Sequence, residues 1–154
     1  MEEKIKILAK NNFTLFLDSK KKRKTPERFT ILEKIFSLNK HFDIDTLHTM
    51  LEDDSFHVSK ATIYNTINLL IESGLVKKHS FDKQQAKYGK VVGNTTNQYF
   101  LICTECGKVK EVKDLEFSAY MNARKYNSFT TKYFQLNVYG MCNNCVRKIK
   151  RKNK

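Results

Sequence analysis

The sequence predicts an α+β fold in two parts, a helical domain ending in a two-stranded wing and then a small α/β domain. Three observations predict it. Apolar residues recur at helical spacing in successive segments up to residue 73. Two short alternating runs, "LVKKHSF" and "AKYGKVV", come next. Beyond them strand-like runs carry all 4 cysteines of the chain, arranged as two Cys-x-x-Cys pairs.

Residues 3–17 place Ile5, Leu8, Phe13 and Phe16 near one helical face, and the basic run 20–24 breaks that pattern. Thr25-Pro26 opens a second helix, with Thr as N-cap and Pro at the first helical position, where its missing N–H is not needed. Phe29, Leu32, Ile35 and Phe36 follow at helical spacing. A third helix is expected from Asp45 to about Glu52, burying Leu47, Met50 and Leu51.

The stretch "HVSKATIYNTINLLIESGLVKK" is the most legible. Ser59 is its N-cap, Ile63, Ile67 and Leu70 form an apolar stripe, and Gly74 is the stop. The opposite face carries Ala61, Asn65, Asn68 and Glu72, with Lys60, Thr62 and Tyr64 near the start or on the flank. That face is polar but nearly uncharged, and its amide, hydroxyl and phenol groups are of the kinds that read base edges. For a helix taken alone, a solvated surface is the simpler reading. Position in the chain changes the balance, because helices followed by a two-stranded ribbon describe a winged helix-turn-helix.

The segment "KVVGNTTNQ" has the small and polar residues of a hinge. After it "YFLIC", "KVKEV" and "KYFQLNVYG" read as strands, with "DLEFSAYMNARKY" as a helix between the second and third.

At 154 residues the chain suits one domain or two small ones. Its net charge is +13, from 29 Lys+Arg against 16 Asp+Glu, with much of the excess in "SKKKRKTPER" and "VRKIKRKNK". Nucleic acid is the obvious polyanionic partner for such a chain, although a solubilising surface gives the same balance. No segment approaches ~20 continuous apolar residues. The start, "MEEKIKILAKNNF", lacks the h-region and cleavage site of a signal peptide, so a cytoplasmic location is expected. There, paired cysteines are more often metal ligands or redox centres than disulfides.

Two Cys-x-x-Cys pairs can wrap one tetrahedral zinc ion, because the short spacer lets both thiolates of a pair face one point. Gly107 and Gly140 flank the pairs and supply backbone freedom. The 35 residues between Cys106 and Cys142 exceed the ~15–20 of a common zinc ribbon. They must leave and return as folded structure, which the strand, helix and strand provide. One structural zinc per chain, held by Cys103, Cys106, Cys142 and Cys145, is therefore expected. Thiol redox chemistry is the alternative, but neither pair opens a helix after a βαβ strand.

With "RKTPERFTIL" (23–32), "KATIYNTINLLIESGLV" (60–76), "FLICTECGKV" (100–109) and "YGMCNNC" (139–145) in this order, the chain resembles the ferric uptake regulator (Fur) family. The resemblance runs from Arg23 to Cys145. It implies a winged-helix DNA-binding domain at 1–92, a hinge at 93–97, and an α/β dimerisation domain at 98–154 that ends in a basic tail. Family members are homodimers that bind palindromic operators in double-stranded DNA and usually repress. The four cysteines match the family's structural zinc ligands. Tyr64 matches the tyrosine that contacts thymine, and Asn65 stands where many members carry arginine. Arg23 falls near the basic residue sent toward the minor groove, and Lys60, Thr62 and Asn68 complete the expected DNA-binding set.

The departures fall at the family's regulatory site, which senses iron, zinc, manganese or peroxide through histidines and carboxylates. Its histidine-rich run before the first Cys-x-x-Cys is replaced here by Asn97, Gln98, Tyr99 and Phe100. A further family histidine falls at Phe134, and the wing carboxylate falls at Gly89. His41 and Glu111 match; two ligands are too few for a tight divalent site. Metal sensing is therefore expected to be reduced or relocated, with His41, His79 and Glu111 as a residual site. His79 lies in the wing, where it could approach the hinge, whereas His48 and His57 read as surface or satisfied histidines. An RNA-binding zinc-ribbon protein is the alternative function, disfavoured by the winged-helix order and the lack of an aromatic stacking motif. An enzyme is disfavoured too, since four thiolates close a zinc site to water and no serine or carboxylate constellation stands out.

Overall fold

The computed structural model describes residues 1–81, 85–92, 97–131 and 134–153, and it forms two compact units, Met1–Gly93 and Asn94–Lys154. The segment expected to act as a hinge lies, but for Asn97, outside the described residues.

The first unit contains α1 (Glu2–Ser19), α2 (Pro26–Ser37), α3 (Ile44–Asp53), α4 (Lys60–Glu72), β1 (Val76–His79) and β2 (Lys87–Lys90). On α1 the buried row is Ala9, Phe13 and Leu17, spaced by four, with Ile5 and Phe16 partly buried beside it. Leu8, expected on that face, is instead 61% exposed. Five residues before Phe13 it points well away from the stripe at about 100° per residue. Thr25 stands at the N-cap of α2 in extended conformation, but among the described residues its side chain makes no capping bond. Pro26, with its fixed φ, is left to start the helix.

Helix α2 packs against α1, α3 and α4 through Ile31, Leu32, Ile35 and Phe36. Helix α3 begins earlier than expected because Asp43 is its cap, accepting the Thr46 amide at 2.7 Å. Leu47 and Leu51 are buried as expected, whereas Met50 stays half-buried. In the turn to α4, Ser55 adopts φ 60° and the Phe56 amide donates to the Leu51 carbonyl at 2.9 Å, so that Phe56 and Val58 pack on the core. Ile63, Ile67 and Leu70 of α4 have no exposed surface. Each such side chain contributes roughly 1.5–3 kcal/mol on burial.

The wing strands pair antiparallel, Val76 opposite Lys90 and His79 opposite Lys87. Phe42 adds a third, one-residue rung: its amide donates to the Tyr88 carbonyl at 3.0 Å and its carbonyl accepts the Tyr88 amide at 2.7 Å. The wing is thus tied to the leading end of α3.

The second unit contains β3 (Gln98–Cys103), β4 (Val109–Val112), α5 (Leu115–Ala123), β5 (Gln135–Gly140) and α6 (Asn143–Lys152). Its sheet has the order β4-β3-β5, with β3–β4 antiparallel and β3–β5 parallel. A parallel neighbour requires a crossover, and α5, capped by Asp114, supplies it. That is the physical reason for the long cysteine spacer. The parallel register sets Cys103 opposite Gly140, two residues before Cys142. Residues 146–154, read from sequence as a tail, fall largely within helix α6.

Candidate metal centre and nucleic-acid interface

Cys103 ends β3 and Cys106 lies in the turn after it, whereas the second pair, contrary to expectation, opens a helix directly after β5, with Cys142 as the N-cap of α6 and Cys145 in its first turn. Their four sulfurs all lie within 4.8 Å of one another, and Cys106 Sγ is 3.8 Å from Cys142 Sγ. A tetrahedron with ~2.3 Å zinc–sulfur bonds has edges of about 3.8 Å, so the spacing fits one ion. Gly107 adopts φ 72° and closes the first knuckle, its amide donating to the Cys103 carbonyl at 3.0 Å. Gly140 does not take up left-handed backbone, contrary to expectation. Its carbonyl instead accepts the Thr104 amide at 2.8 Å and hydroxyl at 3.3 Å, fastening the first knuckle to the end of β5.

The electrostatics fit a cation as well. The Cys142 amide donates to Cys103 Sγ at 3.3 Å, and this bond with that of the Cys106 amide lowers the Cys103 thiol to about 6. The Cys142 thiol is lowered by the Cys145 amide, whereas Cys145, hydrogen-bonded to the sulfurs of Cys142 and Cys106, is pushed up to about 12. Four thiolates do not coexist here without a positive ion among them. Among the described residues this is the group of three or more histidine, cysteine or carboxylate donors that converges on one point.

Helix α4 presents Lys60, Tyr64, Asn65 and Asn68 on its exposed side, with Tyr64 47% exposed. Ser59 Oγ accepts the Thr62 amide at 3.1 Å and sits 3.0 Å from the Thr62 hydroxyl, so half-buried Thr62 is engaged in the cap. Lys60 pairs with Asp45 at 2.7 Å, both largely exposed. Hydrogen bonds from Lys60 and then Gln85 hold the Asp45 carboxyl below its ordinary range. Solvent screens so exposed a pair and leaves it weak, so a phosphate could take the place of Asp45. Beneath this face Tyr88 is buried; burial first, and then the Tyr64 phenol, raise its phenol above the usual value. Arg23 is exposed in the loop between α1 and α2, where its carbonyl accepts a hydrogen bond from the Arg28 side chain.

His41 and His79 come together in the first unit, their rings edge to face at 4.9 Å between centroids. His79 is buried and also stacks on Phe81 at 6.0 Å, so it faces this unit's interior. A Cβ at Gly89 would lie 2.7 Å from His41 Cδ2 and 2.9 Å from its Nε2. The bare glycine thus makes room for the His41 ring. Glu111 lies exposed on β4 of the second unit.

The other positions of the expected regulatory site are built into structure. Asn97 donates to Asn122 at 3.0 Å and accepts the Phe134 amide at 3.2 Å. Tyr99 and Phe134 pack on Phe117, at 6.0 and 5.7 Å between ring centroids, and Phe100 is fully buried. His48 and His57 both engage Glu52, as surface histidines do.

A helical unit with a β-wing and an α/β unit closed by four cysteines define a class of winged-helix regulator. The model of the Ferric uptake regulator family matches residues 19–139, and the chain belongs to that family. Its members are transcription regulators, not enzymes. The peroxide-responsive repressor PerR of Staphylococcus aureus is 28% identical over 127 residues, 82% of this chain and 84% of that protein. Among solved structures, the Fur protein of Helicobacter pylori aligns with a TM-score of 0.74 and 16% identity, covering 92% of this chain and 93% of that one. Ferric uptake regulator from Pseudomonas aeruginosa with manganese gives 0.70 at 22% identity, over 82% and 95% of the two chains. A zinc uptake regulator complexed with zinc and DNA gives 0.55 at 20% identity, over 97% and 98%. These structural likenesses carry the fold. Among the described residues no helix is long and apolar enough to cross a membrane.

Proposed function

We propose that the chain is a dimeric, zinc-stabilised, cytoplasmic repressor that binds palindromic double-stranded DNA, with metal sensing reduced from the family pattern. The observation that carries the DNA reading is the exposed face of α4. It offers a phenol and two amides at Tyr64, Asn65 and Asn68 on a helix whose other side is locked into the core by Ile63, Ile67 and Leu70. Tyr64, Asn65 and Asn68 read bases, whereas Arg23 and Lys60 hold backbone phosphates, and Thr62 positions the start of the helix.

Cys103, Cys106, Cys142 and Cys145 hold zinc, which ties the turn after β3 to the start of α6. A closed four-thiolate site is structural. The domain division at 1–92, 93–97 and 98–154 places DNA binding in the first part and dimerisation in the last. Support for dimerisation comes from β5, a sheet edge among the described residues, with exposed Val138 and Tyr139 beside Leu101 and Met141. An unpaired edge with apolar flanks is a ready surface for a second copy.

The reduced sensor rests on the aromatic packing of Tyr99, Phe117 and Phe134 at and around the sensor positions, where Phe134 and Phe100 offer no donor atom to a metal. A corepressor shifts an equilibrium only by its differential affinity for the two states, and few ligands remain to generate one. The test is selection of an operator from a random duplex library with purified zinc-replete protein, followed by sedimentation to establish stoichiometry. Enrichment of a palindrome bound by two chains supports the proposal. Recovery of no preferred duplex, or stronger binding to single-stranded RNA, overturns it.

A further inference from the structure

We infer that α6 is a second, sequence-independent DNA-phosphate contact, an arm separate from the recognition helix; this rests on the DNA-binding reading above. Five of the ten residues in Asn143–Lys152 are cationic: Arg147, Lys148, Lys150, Arg151 and Lys152. None is acidic, and none of the described residues of the helix is buried. Cys145, Val146 and Ile149 recur on one side at helical spacing, leaving the cations to cover the rest.

Ion pairing differs between the first unit and this helix. In the first unit Lys10, Lys24, Lys34, Lys60 and Lys87 each meet a carboxylate, at Glu33, Asp18, Asp54, Asp45 and Asp43. Among the described residues no such pair involves α6. Arg147 and Arg151, like Lys148 and Lys152, stand four apart, where like charges repel. So short a helix is marginal alone. It is nucleated from its start, with Cys142 as N-cap and the Val146 amide donating to the Cys142 carbonyl at 3.0 Å. The repulsion along the remainder calls for an anion outside the chain.

Duplex DNA supplies anions at the right density. Ten residues of helix span about 15 Å, over which B-DNA carries about one negative charge per 1.7 Å. An anionic membrane is a poorer fit. Interfacial helices bury a face of large apolar residues, and α6 has only Val146 and Ile149 to offer.

The experiment uses full-length, zinc-loaded protein, the selected operator and a random duplex of equal length, across a salt series. The variants are Arg147→Gln/Lys148→Gln/Lys150→Gln/Arg151→Gln and the charge-preserving Arg147→Lys/Arg151→Lys. Each lost phosphate contact makes the slope of log affinity against log salt shallower by about 0.9. The quadruple variant should lose about tenfold or more on both duplexes, with a slope shallower by roughly 2–4. The Arg-to-Lys variant should stay within about twofold of wild type. Unchanged zinc content and sedimentation would show that the quadruple variant is folded. If it is not, Lys150→Gln/Arg151→Gln, clear of the cysteines, should show about half the slope change.

An unchanged slope and affinity overturn the inference while leaving the recognition helix in place. The inference fails equally if the variant loses only its binding to single-stranded RNA or to phosphatidylglycerol vesicles. A wild type that binds no duplex overturns this inference and the DNA-binding reading together.

Discussion

Asp43, the cap of α3, is paired at 2.6 Å with Lys87 of wing strand β2, 44 residues further along the chain. One carboxylate therefore joins the helix-turn-helix to the wing. Burial opposes its ionisation, but hydrogen bonds from Lys87 and Thr46 prevail and lower it to about 2.

Asp43→Ala should remove both the cap and the ion pair and destabilise the protein by about 2 kcal/mol. Asp43→Asn keeps a capping oxygen and should cost less. The folded-state pKa lies below the ordinary 3.8, so the contribution is complete above about pH 4 and disappears as pH falls through about 2. Urea unfolding of wild type and Asp43→Asn should show a clear gap near pH 6 that closes near pH 2. Equal stabilities at pH 6 would remove the pair as a structural element.

Cys103→Ser and Cys142→Ser should each abolish tight zinc binding. Zinc-binding free energy becomes folding free energy, on the order of 10 kcal/mol in small zinc modules. Both variants should therefore lower the melting temperature and dissociate the proposed dimer, read by metal analysis, calorimetry and sedimentation. A variant that stays dimeric with an unchanged melting curve would show that the cysteines are not structural.

Tyr64→Ala should remove a base contact worth roughly 1–3 kcal/mol on the operator and leave random duplex nearly unaffected. Tyr64 is about half exposed, so the folded state should barely notice its loss. Competition binding on the two duplexes makes the comparison, and equal losses on both would strip Tyr64 of a reading role.

Operator affinity should change less than about tenfold, roughly 1.4 kcal/mol, on adding iron, manganese or further zinc to zinc-replete protein. A hundredfold gain abolished by His41→Ala or His79→Ala would place a sensor at that ring pair. Gly89→Asp restores a wing carboxylate, but its Cβ would meet the His41 ring at 2.7 Å. The ring must move, at roughly 1–3 kcal/mol of stability. Thermal unfolding of Gly89→Asp against Gly89→Ala should show a similar loss for both, because the conflict begins at Cβ.

Residue types and spacing alone determined much of this protein. The two Cys-x-x-Cys pairs single out their four thiols, because a short spacer lets both sulfurs of a pair face one point. The α4 stripe of Ile63, Ile67 and Leu70 declares its buried side, and hence the side on which Tyr64, Asn65 and Asn68 stand exposed. Such signals are local, carried by the repeat of a helix or the reach of a turn.

What only the tertiary structure decided lies between residues distant in sequence. No periodicity announces that Asp43 meets Lys87, that His41 fills the space over Gly89, or that Cys103 lies opposite Gly140 on a parallel strand. Helix α6 was illegible for a different reason. It has no buried stripe, and its like charges read as a tail until a cap at Cys142 starts the helix. Leu8 marks the limit even of local reading, since a periodic pattern gives a face only to within the turn, and packing against α2 chose Ala9, Phe13 and Leu17.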